Sequence, residues 1–294
     1  MAVFHLSAFA DEAGAEIGEQ ITTLKANGIT GVELRSVWKK NISDFNAEDA
    51  EEAYRRFSEA GITVTSLGSP FGKIQITDDF APHQEKFLHG LELCELLGTR
   101  HIRMFSFYVP EDSAPYRDEV FRRVDWMCTQ AQKADVQLLH ENEKHIYGDT
   151  AERCLELFQR FSGRMLGVFD PANFIQCGVD PLEAIDLLKD YISYMHVKDA
   201  LASDGSVVPC GKGNGHVAQV LDLLSRRADG MVLSLEPHLK VFDGLAGLQQ
   251  EEVKHVYAYP DKREAFAAAA DAMKTTLTGM GFIQMKGGEG TWIR

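Results

Sequence analysis

Short apolar runs alternate with amphipathic stretches along most of the chain. The repeating unit spans roughly 30–40 residues and contains a stretch of helical periodicity, a glycine-containing or polar break, and an apolar run. The breaks lie in segments such as ANGITGVEL, EAGITVTSL, LLGTRHIRMF and KADVQLLHE. A glycine after the last helical turn can adopt the left-handed conformation that ends a helix, and the β-branched run that follows is typical of a buried strand.

Eight such runs occur, with helical patterns between them. The predicted strands cover residues 3–9, 31–35, 63–67, 101–105, 136–141, 166–170, 193–198 and 232–236. Strict alternation of strand and helix predicts parallel strands joined by right-handed crossovers, and eight such units close a barrel. We therefore predict an α/β protein with the (β/α)8 TIM barrel fold, in which helices surround a parallel eight-stranded barrel.

The alternative fold is an open doubly wound sheet. That fold requires a glycine-rich phosphate turn after an early strand, and the first junction, AFADEAGAEIG, lacks G-x-G-x-x-G. No linker rich in Pro, Gly or Ser divides the chain, so residues 1–282 are predicted to form a single barrel domain and 283–294 a C-terminal extension. The long segments 69–82 and 239–261 follow strands, and loops of this length are often lids or contacts between copies of a chain.

Charge and cysteine content exclude several classes of protein. The formal net charge is −14, which argues against a nucleic-acid partner because phosphate backbones are bound through Lys and Arg. The five cysteines are widely spaced, without C-x-x-C, which indicates a reduced, cytoplasmic setting rather than a disulfide framework. No apolar run approaches the roughly eighteen residues that span a bilayer, and the N-terminus lacks the basic start of a signal peptide, so no membrane partner is expected.

Four consecutive predicted strands end in residues that can ligate a metal. The fifth ends at Glu141 in LLHEN, the sixth at Asp170 in GVFDPAN, the seventh at His196 in YMHVKD and the eighth at Glu236 in LSLEPH. A single acidic strand end is usually a capping or solvated residue. Adjacent strands lie about 4.8 Å apart, however, so four in succession can converge at the catalytic face of a barrel. Three carboxylates and one imidazole suit one divalent ion, with Mn²⁺ expected first and Mg²⁺, Co²⁺ or Zn²⁺ as alternatives.

The motifs GVELR, FDPAN, HVKDA, GKGNG and LEPH extend this pattern over nearly the whole chain. With them the sequence resembles the xylose isomerase-like TIM barrel superfamily, which includes sugar isomerases and epimerases, inosose dehydratases and endonuclease IV. The resemblance implies that Glu141, Asp170, His196 and Glu236 bind the metal. It also implies that the two glutamates serve as the catalytic acid and base, as they do in the ketose epimerase branch.

Some positions depart from that family pattern. Epimerases often carry His three residues after the sixth-strand Asp, where this chain has Asn173, and their later Arg is replaced by Ala202. The common GEG after the seventh strand includes Lys212 here, which either contacts an anionic substrate group or is a solvated loop residue. Endonuclease IV requires extra His ligands that the early strand ends lack, which argues against a DNA repair role.

Further polar residues near the strand ends are candidates for substrate contact. Some of them have a structural alternative: Glu33 could pair with Arg35 to brace the mouth, His145 could be an incidental loop residue, and His238 could support a ligand. The predicted substrate-binding residues are Glu33, Arg103, His145, Asn173, Lys198 and His238.

This constellation predicts an enzyme that removes a proton from the carbon beside a carbonyl of a small carbohydrate. The metal would stabilise an ene-diolate, and Glu141 or Glu236 would move the proton. The leading prediction is a sugar isomerase or epimerase acting on a keto-sugar. One alternative is a lyase or dehydratase that expels a β-substituent from the same intermediate, and another is a non-catalytic barrel subunit. A homo-oligomer is compatible with the long loops.

Overall fold

The strands form the predicted barrel. A computed structural model describes residues 1–227, 230–240 and 256–294. Each predicted strand is present, with ends that shift by no more than about one residue at most positions. The barrel strands are β1 (Val3–Ala8), β2 (Gly31–Leu34), β3 (Thr63–Leu67), β4 (His101–Met104), β5 (Gln137–Glu141), β6 (Met165–Phe169), β7 (Ile192–Val197) and β8 (Met231–Leu235).

Helices follow the strands and cover the outside of the barrel. They are α1 (Ile17–Ala26), α2 (Ala47–Glu59), α3 (Ala81–Leu96), α4 (Arg117–Lys133), α5 (Ala151–Arg160), α6 (Pro171–Gln176), α7 (Pro181–Leu188), α8 (Val217–Leu224) and α9 (Lys262–Gly279). Short 3₁₀ turns cover Ala10–Glu12, Ile42–Asp44 and Ala114–Tyr116. Several α-helices begin at a capping residue: Asn46 and Thr150, for example, accept backbone N–H bonds from Asp49 and Arg153.

The strands pair in parallel from β1 through β8, β7, β6, β5, β4 and β3 to β2. β1 and β2 close the ring by direct packing. A Cβ added at Gly31 in β2 would lie 2.9 Å from the backbone oxygen of Leu6 in β1, which only a glycine avoids. All eight carboxyl ends therefore meet at one face of the barrel.

The residues beyond position 282 extend the sheet. β9 (Ile283–Gln284) and β10 (Thr291–Ile293) form an antiparallel pair, and β10 also pairs antiparallel with the start of β1. Leu6 donates its N–H to the oxygen of Gly290 at 2.7 Å, so the C-terminal segment supports the β1 edge next to β2. The division at residue 282 stays a prediction about domains, but the segment beyond it is an integral part of the sheet.

Two separate apolar regions stabilise the barrel. The larger lies between the sheet and the surrounding helices. The smaller lies inside the barrel and consists of Leu139, Val168 and Tyr194, with Leu166 and Val232 packed against them. Alternate residues of each strand thus point outward to the helices or inward to the smaller apolar region, which fills the floor of the barrel. Polar inward residues closer to the carboxyl ends lie above a filled floor.

One of the two long loops lies within the described residues. The 69–82 segment packs on the mouth through the buried Phe71 and Ile76, and Lys73 forms an ion pair of 3.2 Å with Glu143 of the loop after β5. The 239–261 segment lies largely outside the described residues, which omit positions 241–255.

Two buried histidines are held in the neutral form. His140 points its Nε2 at the hydroxyl of Ser106, which accepts the N–H of Gly148, and His83 Nε2 accepts the N–H of Gly72 at 3.0 Å. Burial lowers the pKa of each imidazole from its ordinary value of 6.5 to about 4. In both cases the nearby hydrogen bonds fit an unprotonated acceptor nitrogen.

These two histidines are expected to weaken the fold in mild acid. The unfolded chain binds a proton at each below about pH 6.5, while the folded chain resists protonation until about pH 4. The stability they contribute is therefore complete above pH 6.5 and is lost as the pH falls through that window, by about 2 kcal/mol per histidine at pH 5. Urea unfolding at pH 7.5 and 5 should show this loss, and His140→Gln should reduce it. The exposed His5→Gln is the control, and an equal pH dependence in both variants would contradict the assignment.

Candidate metal centre

Four side chains from adjacent strand ends meet inside the mouth of the barrel. Each offers a ligand atom, these atoms all lie within 4.8 Å of one another, and all four residues are buried. We call this group the four-residue cluster, and its members are Glu141, Asp170, His196 and Glu236. The sequence-based prediction that these residues lie together agrees with their placement, while their role as ligands stays a prediction.

Strand geometry explains the convergence. Glu141 is the last residue of β5, His196 lies near the end of β7, and Asp170 and Glu236 directly follow β6 and β8. In β7 the inward positions alternate, so Tyr194 fills the barrel floor while His196 lies one layer higher.

The two carboxylate oxygens of Asp170 have different surroundings, one at a helix start and one in the cluster. Oδ1 accepts the N–H of Asn173 at 2.8 Å and caps the N-terminus of α6. Oδ2 faces the cluster and lies 3.9 Å from His196 Nδ1. It is fully buried and has no hydrogen-bond partner of acceptable geometry among the described residues. Burial raises the pKa of Asp170 despite the nearby ammonium of Lys198.

Glu141 is held on both oxygens. Arg103 donates to Oε2 at 3.0 Å, while Oε1 lies 3.1 Å from both His196 Nδ1 and Asn173 Nδ2. Burial opposes ionisation of this carboxyl, but the charges of His196 and Arg103 outweigh it and lower the pKa of Glu141. Arg103 and Asn173, both predicted to contact substrate, thus support a cluster member.

Glu236 is held in a similar way on the other side. Its Oε1 lies 3.2 Å from Arg35 Nη1 and 3.4 Å from His238 Nε2, and its Oε2 lies 2.8 Å from Lys198 Nζ. Burial again opposes ionisation, but the charges of Lys198 and the neighbouring basic groups hold the pKa of Glu236 well below its usual range. Burial also lowers the pKa of His238. His238 therefore lies beside a cluster member, as a supporting position would require.

Lys198 lies inside the site rather than at its rim. Its ammonium is buried and contacts Asp170 Oδ2 at 2.9 Å as well as Glu236. Burial disfavours the charged form, but the charges of Asp170 and Glu236 raise the pKa of Lys198 well above its ordinary value. The predicted inward orientation of Lys198 is therefore present.

The residues after β1 were largely missed by sequence reasoning. Arg35 forms a bidentate pair with Asp11, at 2.9 and 3.0 Å, and contacts Glu12 at 3.2 Å. Glu12 also accepts the backbone N–H of His238 at 2.7 Å. Burial raises the pKa of Glu12 to about 8 despite the charge of Arg35. The FADE motif contains Asp11 and Glu12 and was the available signal. Nothing in the motif indicates that both acids contact Arg35 at the end of β2.

Asn142 is a second residue that the sequence did not single out. Its side chain exchanges two hydrogen bonds of 2.9 Å with the backbone N–H and oxygen of Asp170. This pair fixes the end of β6 against the end of β5, and so sets the spacing of Glu141 and Asp170. Its position directly after Glu141 was the only signal available.

The remaining two predicted substrate-binding residues, His145 and Glu33, lie in two different surroundings. His145 is exposed in the loop after β5 and is not part of the cluster. Glu33 is buried on the other side of the His196 ring, with Oε2 3.1 Å from Nε2. The alternative of a Glu33–Arg35 brace is not what the structure has, since Arg35 faces Asp11 and Glu12 instead.

The GKGNG motif forms a cradle around one carboxylate. Asp199 accepts backbone N–H bonds of 2.8–3.0 Å from three glycines of the 211–215 segment. A Cβ at Gly213 would lie 2.3 Å from Asp199 Oδ1, so this position requires glycine. The motif therefore has a structural function, and Lys212 extends from it as an exposed side chain.

Backbone strain is concentrated at the same face. Among the described residues, seven other than glycine have a positive φ, and six of these lie in segments that follow barrel strands. Such conformations cost on the order of 1–3 kcal/mol each and cluster at functional sites. The six are Trp38, Lys39, Phe107, His145, His216 and His238.

The donor set fits a divalent cation. Besides Glu143, which pairs with Lys73, six buried carboxylates lie around the mouth: Asp11, Glu12, Glu33, Glu141, Asp170 and Glu236. Three buried basic side chains oppose them: Arg35, Arg103 and Lys198. A dication would add positive charge to this carboxylate-rich group. Asp170 Oδ2, which forms an ion pair of 2.9 Å with Lys198, also faces His196 Nδ1 within the cluster. Oxygen ligands with one imidazole suit Mn²⁺, Mg²⁺, Co²⁺ or Zn²⁺.

A comparison with models of protein families shows which family the chain belongs to. A family model described as xylose isomerase-like TIM barrel matches residues 21–274. The chain belongs to the xylose isomerase-like TIM barrel family. The resemblance drawn from the sequence motifs and the barrel fold predicted from the alternation of strands and helices are thereby confirmed.

Relatives of this xylose isomerase-like barrel include a dehydratase. The 3-dehydroshikimate dehydratase of Bacillus anthracis is 23% identical over 181 residues, which cover 60% of this chain and 64% of that protein. The match thus spans less than two thirds of that relative's length. It leaves both reaction classes of the family open.

Solved structures of the family superpose over nearly the whole chain. An L-ribulose 3-epimerase has a TM-score of 0.73 at 17% identity, covering 96% of each chain. The probable 3-DHS dehydratase AsbF of Bacillus anthracis has a TM-score of 0.71 at 17% identity, covering 93% of this chain and 99% of that one. At such identities the likeness establishes the xylose isomerase-like fold alone. Within the described residues, no helix combines the length and apolarity needed to cross a membrane.

Proposed function

We propose that the chain is a divalent-metal-dependent isomerase or epimerase that acts on a keto-sugar through an ene-diolate intermediate. The observation that carries this proposal is the convergence of the four-residue cluster, with ligand atoms within 4.8 Å, above the filled barrel floor. Membership in an enzyme family that includes sugar epimerases supports the same chemistry.

The four-residue cluster would hold the ion. The ligand atoms facing one another are Glu141 Oε1, Asp170 Oδ2, His196 Nδ1 and Glu236 Oε2. When bound, the ion supplies Lewis-acid stabilisation of the negative charge that develops on the substrate oxygens. Mn²⁺ is the ion we favour. The five free cysteines fit the cytoplasmic setting that we also propose, and a homo-oligomer is compatible with the exposed loops.

Glu141 and Glu236 are assigned the proton transfers. Each is held as a carboxylate, the form that accepts a proton, and each is fixed by its own guanidinium, Arg103 for Glu141 and Arg35 for Glu236. Because the two glutamates extend from β5 and β8, they approach the site from different sides. Removal of a proton by one and return by the other inverts a carbon, whereas return to the neighbouring carbon interconverts ketose and aldose.

Elimination is the second candidate function. Lys198 favours it, because a buried ammonium 2.8 Å from Glu236 could protonate a departing β-hydroxyl or β-glycosyl group. The dehydratase relative points the same way. Enolate formation is common to both outcomes, so the first proton transfer does not distinguish them.

Proton exchange tests this proposal and separates the outcomes. The Mn²⁺-loaded protein would be incubated in D₂O with ketoses, inososes and 3-keto-glycosides, and the products analysed by NMR and mass spectrometry. We expect deuterium at the carbon beside the carbonyl together with an epimer or isomer. Deuterium with an eliminated product would support the lyase, and no exchange in any compound would contradict both and favour a non-catalytic subunit.

A further inference from the structure

Glu33 lies next to the cluster without belonging to it. It is on β2, across the barrel from β7, and its side chain is fully buried. Its Oε2 lies 3.1 Å from Nε2 of His196, whereas Nδ1 of the same ring faces Glu141 at 3.1 Å and Glu236 at 3.6 Å. The two ring nitrogens therefore face different carboxylates.

The His196 ring is also fixed in orientation. Phe9 contacts it edge-on with ring centroids 5.1 Å apart, and Tyr194 contacts it edge-on at 6.0 Å. With both flanks packed and the ring fully buried, rotation that would exchange the two nitrogens is obstructed. Nδ1 therefore stays directed at the carboxylates of the cluster.

The position of the ring proton follows from this orientation. A neutral imidazole that ligates a metal through Nδ1 must carry its proton on Nε2, and that N–H needs an acceptor. Glu33 Oε2 is at hydrogen-bond distance from Nε2. A carboxylate in this place selects the tautomer and increases the basicity of the ligating nitrogen.

We propose that Glu33 is a positioning residue that fixes the tautomer of His196 and strengthens metal binding, rather than a contact to the substrate. This inference rests on the metal site of the proposed function. Burial supports it, since the other oxygen, Glu33 Oε1, is inaccessible and has no hydrogen-bond partner within the described residues. A carboxylate in such a place is costly unless a nearby cationic centre compensates it.

Metal binding by variants tests the role of Glu33. Glu33→Gln retains an oxygen acceptor for the Nε2 proton but removes the charge. It should weaken Mn²⁺ binding by about 10–100-fold, the range found for such outer partners. Calorimetric titration of the full chain measures the affinity, and the visible spectrum of the Co²⁺-loaded protein should shift because the ligand field of His196 changes. Glu143→Gln is the matched control, since Glu143 is buried at the same mouth but pairs with Lys73.

A second measurement uses the wild-type chain, so it does not depend on the folding of a variant. In the Zn²⁺-loaded protein with ¹⁵N-labelled histidine, NMR should show the His196 proton on Nε2 and the metal on Nδ1. A proton on Nδ1, or Mn²⁺ affinity and a Co²⁺ spectrum unchanged in a folded Glu33→Gln, would overturn the inference and leave the proposed function intact. A wild-type chain that binds no Mn²⁺ would overturn both.

Discussion

Replacing Glu141 or Glu236 by glutamine is expected to lower the rate of proton exchange into substrate by about 10²–10⁴-fold. This is the usual contribution of a positioned acid or base. Glutamine preserves the shape of each side chain and can still accept from the guanidinium that fixes it, Arg103 or Arg35. It cannot take up the substrate proton. The loss should therefore appear in kcat, measured by deuterium incorporation with the metal present at saturation.

The pair of variants also separates the two proton transfers. If each glutamate serves one face of the carbon, a variant should retain slow exchange from the face that the other glutamate still serves. Glu152→Gln, on the exposed surface of α5, is the matched control and should retain wild-type exchange. Retention of full turnover by both Glu141→Gln and Glu236→Gln, with the fold intact, would refute the assignment.

Asp170→Asn is expected to weaken metal binding by more than about 100-fold, because loss of an outer partner of a ligand already costs about 10–100-fold. The effect is expected because only one of the two carboxylate oxygens faces the cluster. Oδ2 faces the cluster, 3.9 Å from His196 Nδ1, and supplies the negative charge. The change is isosteric, so calorimetric titration with Mn²⁺ compares the same geometry with and without that charge.

The second oxygen of Asp170 provides an internal control. Oδ1 caps α6 by accepting the N–H of Asn173, and an asparagine oxygen caps a helix about as well. The cap is thus retained, whereas Lys198 loses one carboxylate partner but keeps Glu236 at 2.8 Å. The metal-free free energy of unfolding of Asp170→Asn should therefore fall by about 1–3 kcal/mol. Asp170→Ala should lose both the metal and the cap. Unchanged Mn²⁺ affinity in Asp170→Asn would show that this side chain is not a ligand.

The barrel could be predicted because its signal is periodic. Each strand is a short apolar run between helical patterns, and the alternation alone fixes parallel neighbours. The convergence of the four predicted ligands followed from the same logic, since the ends of consecutive strands must meet. The C-terminal strands were not predicted, because Ile283–Gln284 and Thr291–Ile293 are too short to show a period. The pairing of Thr291–Ile293 with β1 depends on a contact with the opposite end of the chain.

The partners within the site could not be predicted from sequence. Glu33 lies on β2 and Arg35 directly follows that strand, and a pair between them was one sequence-based alternative. Instead, Arg35 faces Asp11 and Glu33 faces His196. Which carboxylate meets which cation depends on side-chain orientation across the barrel, and strand alternation does not encode it. Lys198 was placed correctly because its position two residues after His196 is a matter of alternation along one strand.

The ion pairs at the mouth also fix the charge of the two predicted acid–base residues. In the described part of the mouth, the guanidinium groups of Arg35 and Arg103 and the ammonium of Lys198 each lie against at least one carboxylate. These pairs keep Glu141 and Glu236 ionised and fixed in place. The site is thus preorganised before a substrate arrives, which is the condition under which acid–base groups contribute most.

An anomalous difference map from crystals grown with Mn²⁺ would show whether the four-residue cluster binds the ion. We expect one peak bounded by Glu141 Oε1, Asp170 Oδ2, His196 Nδ1 and Glu236 Oε2, with His196 Nε2 still directed at Glu33. The absence of a peak among these four atoms, with the site otherwise intact, would contradict the metal centre and the chemistry proposed from it.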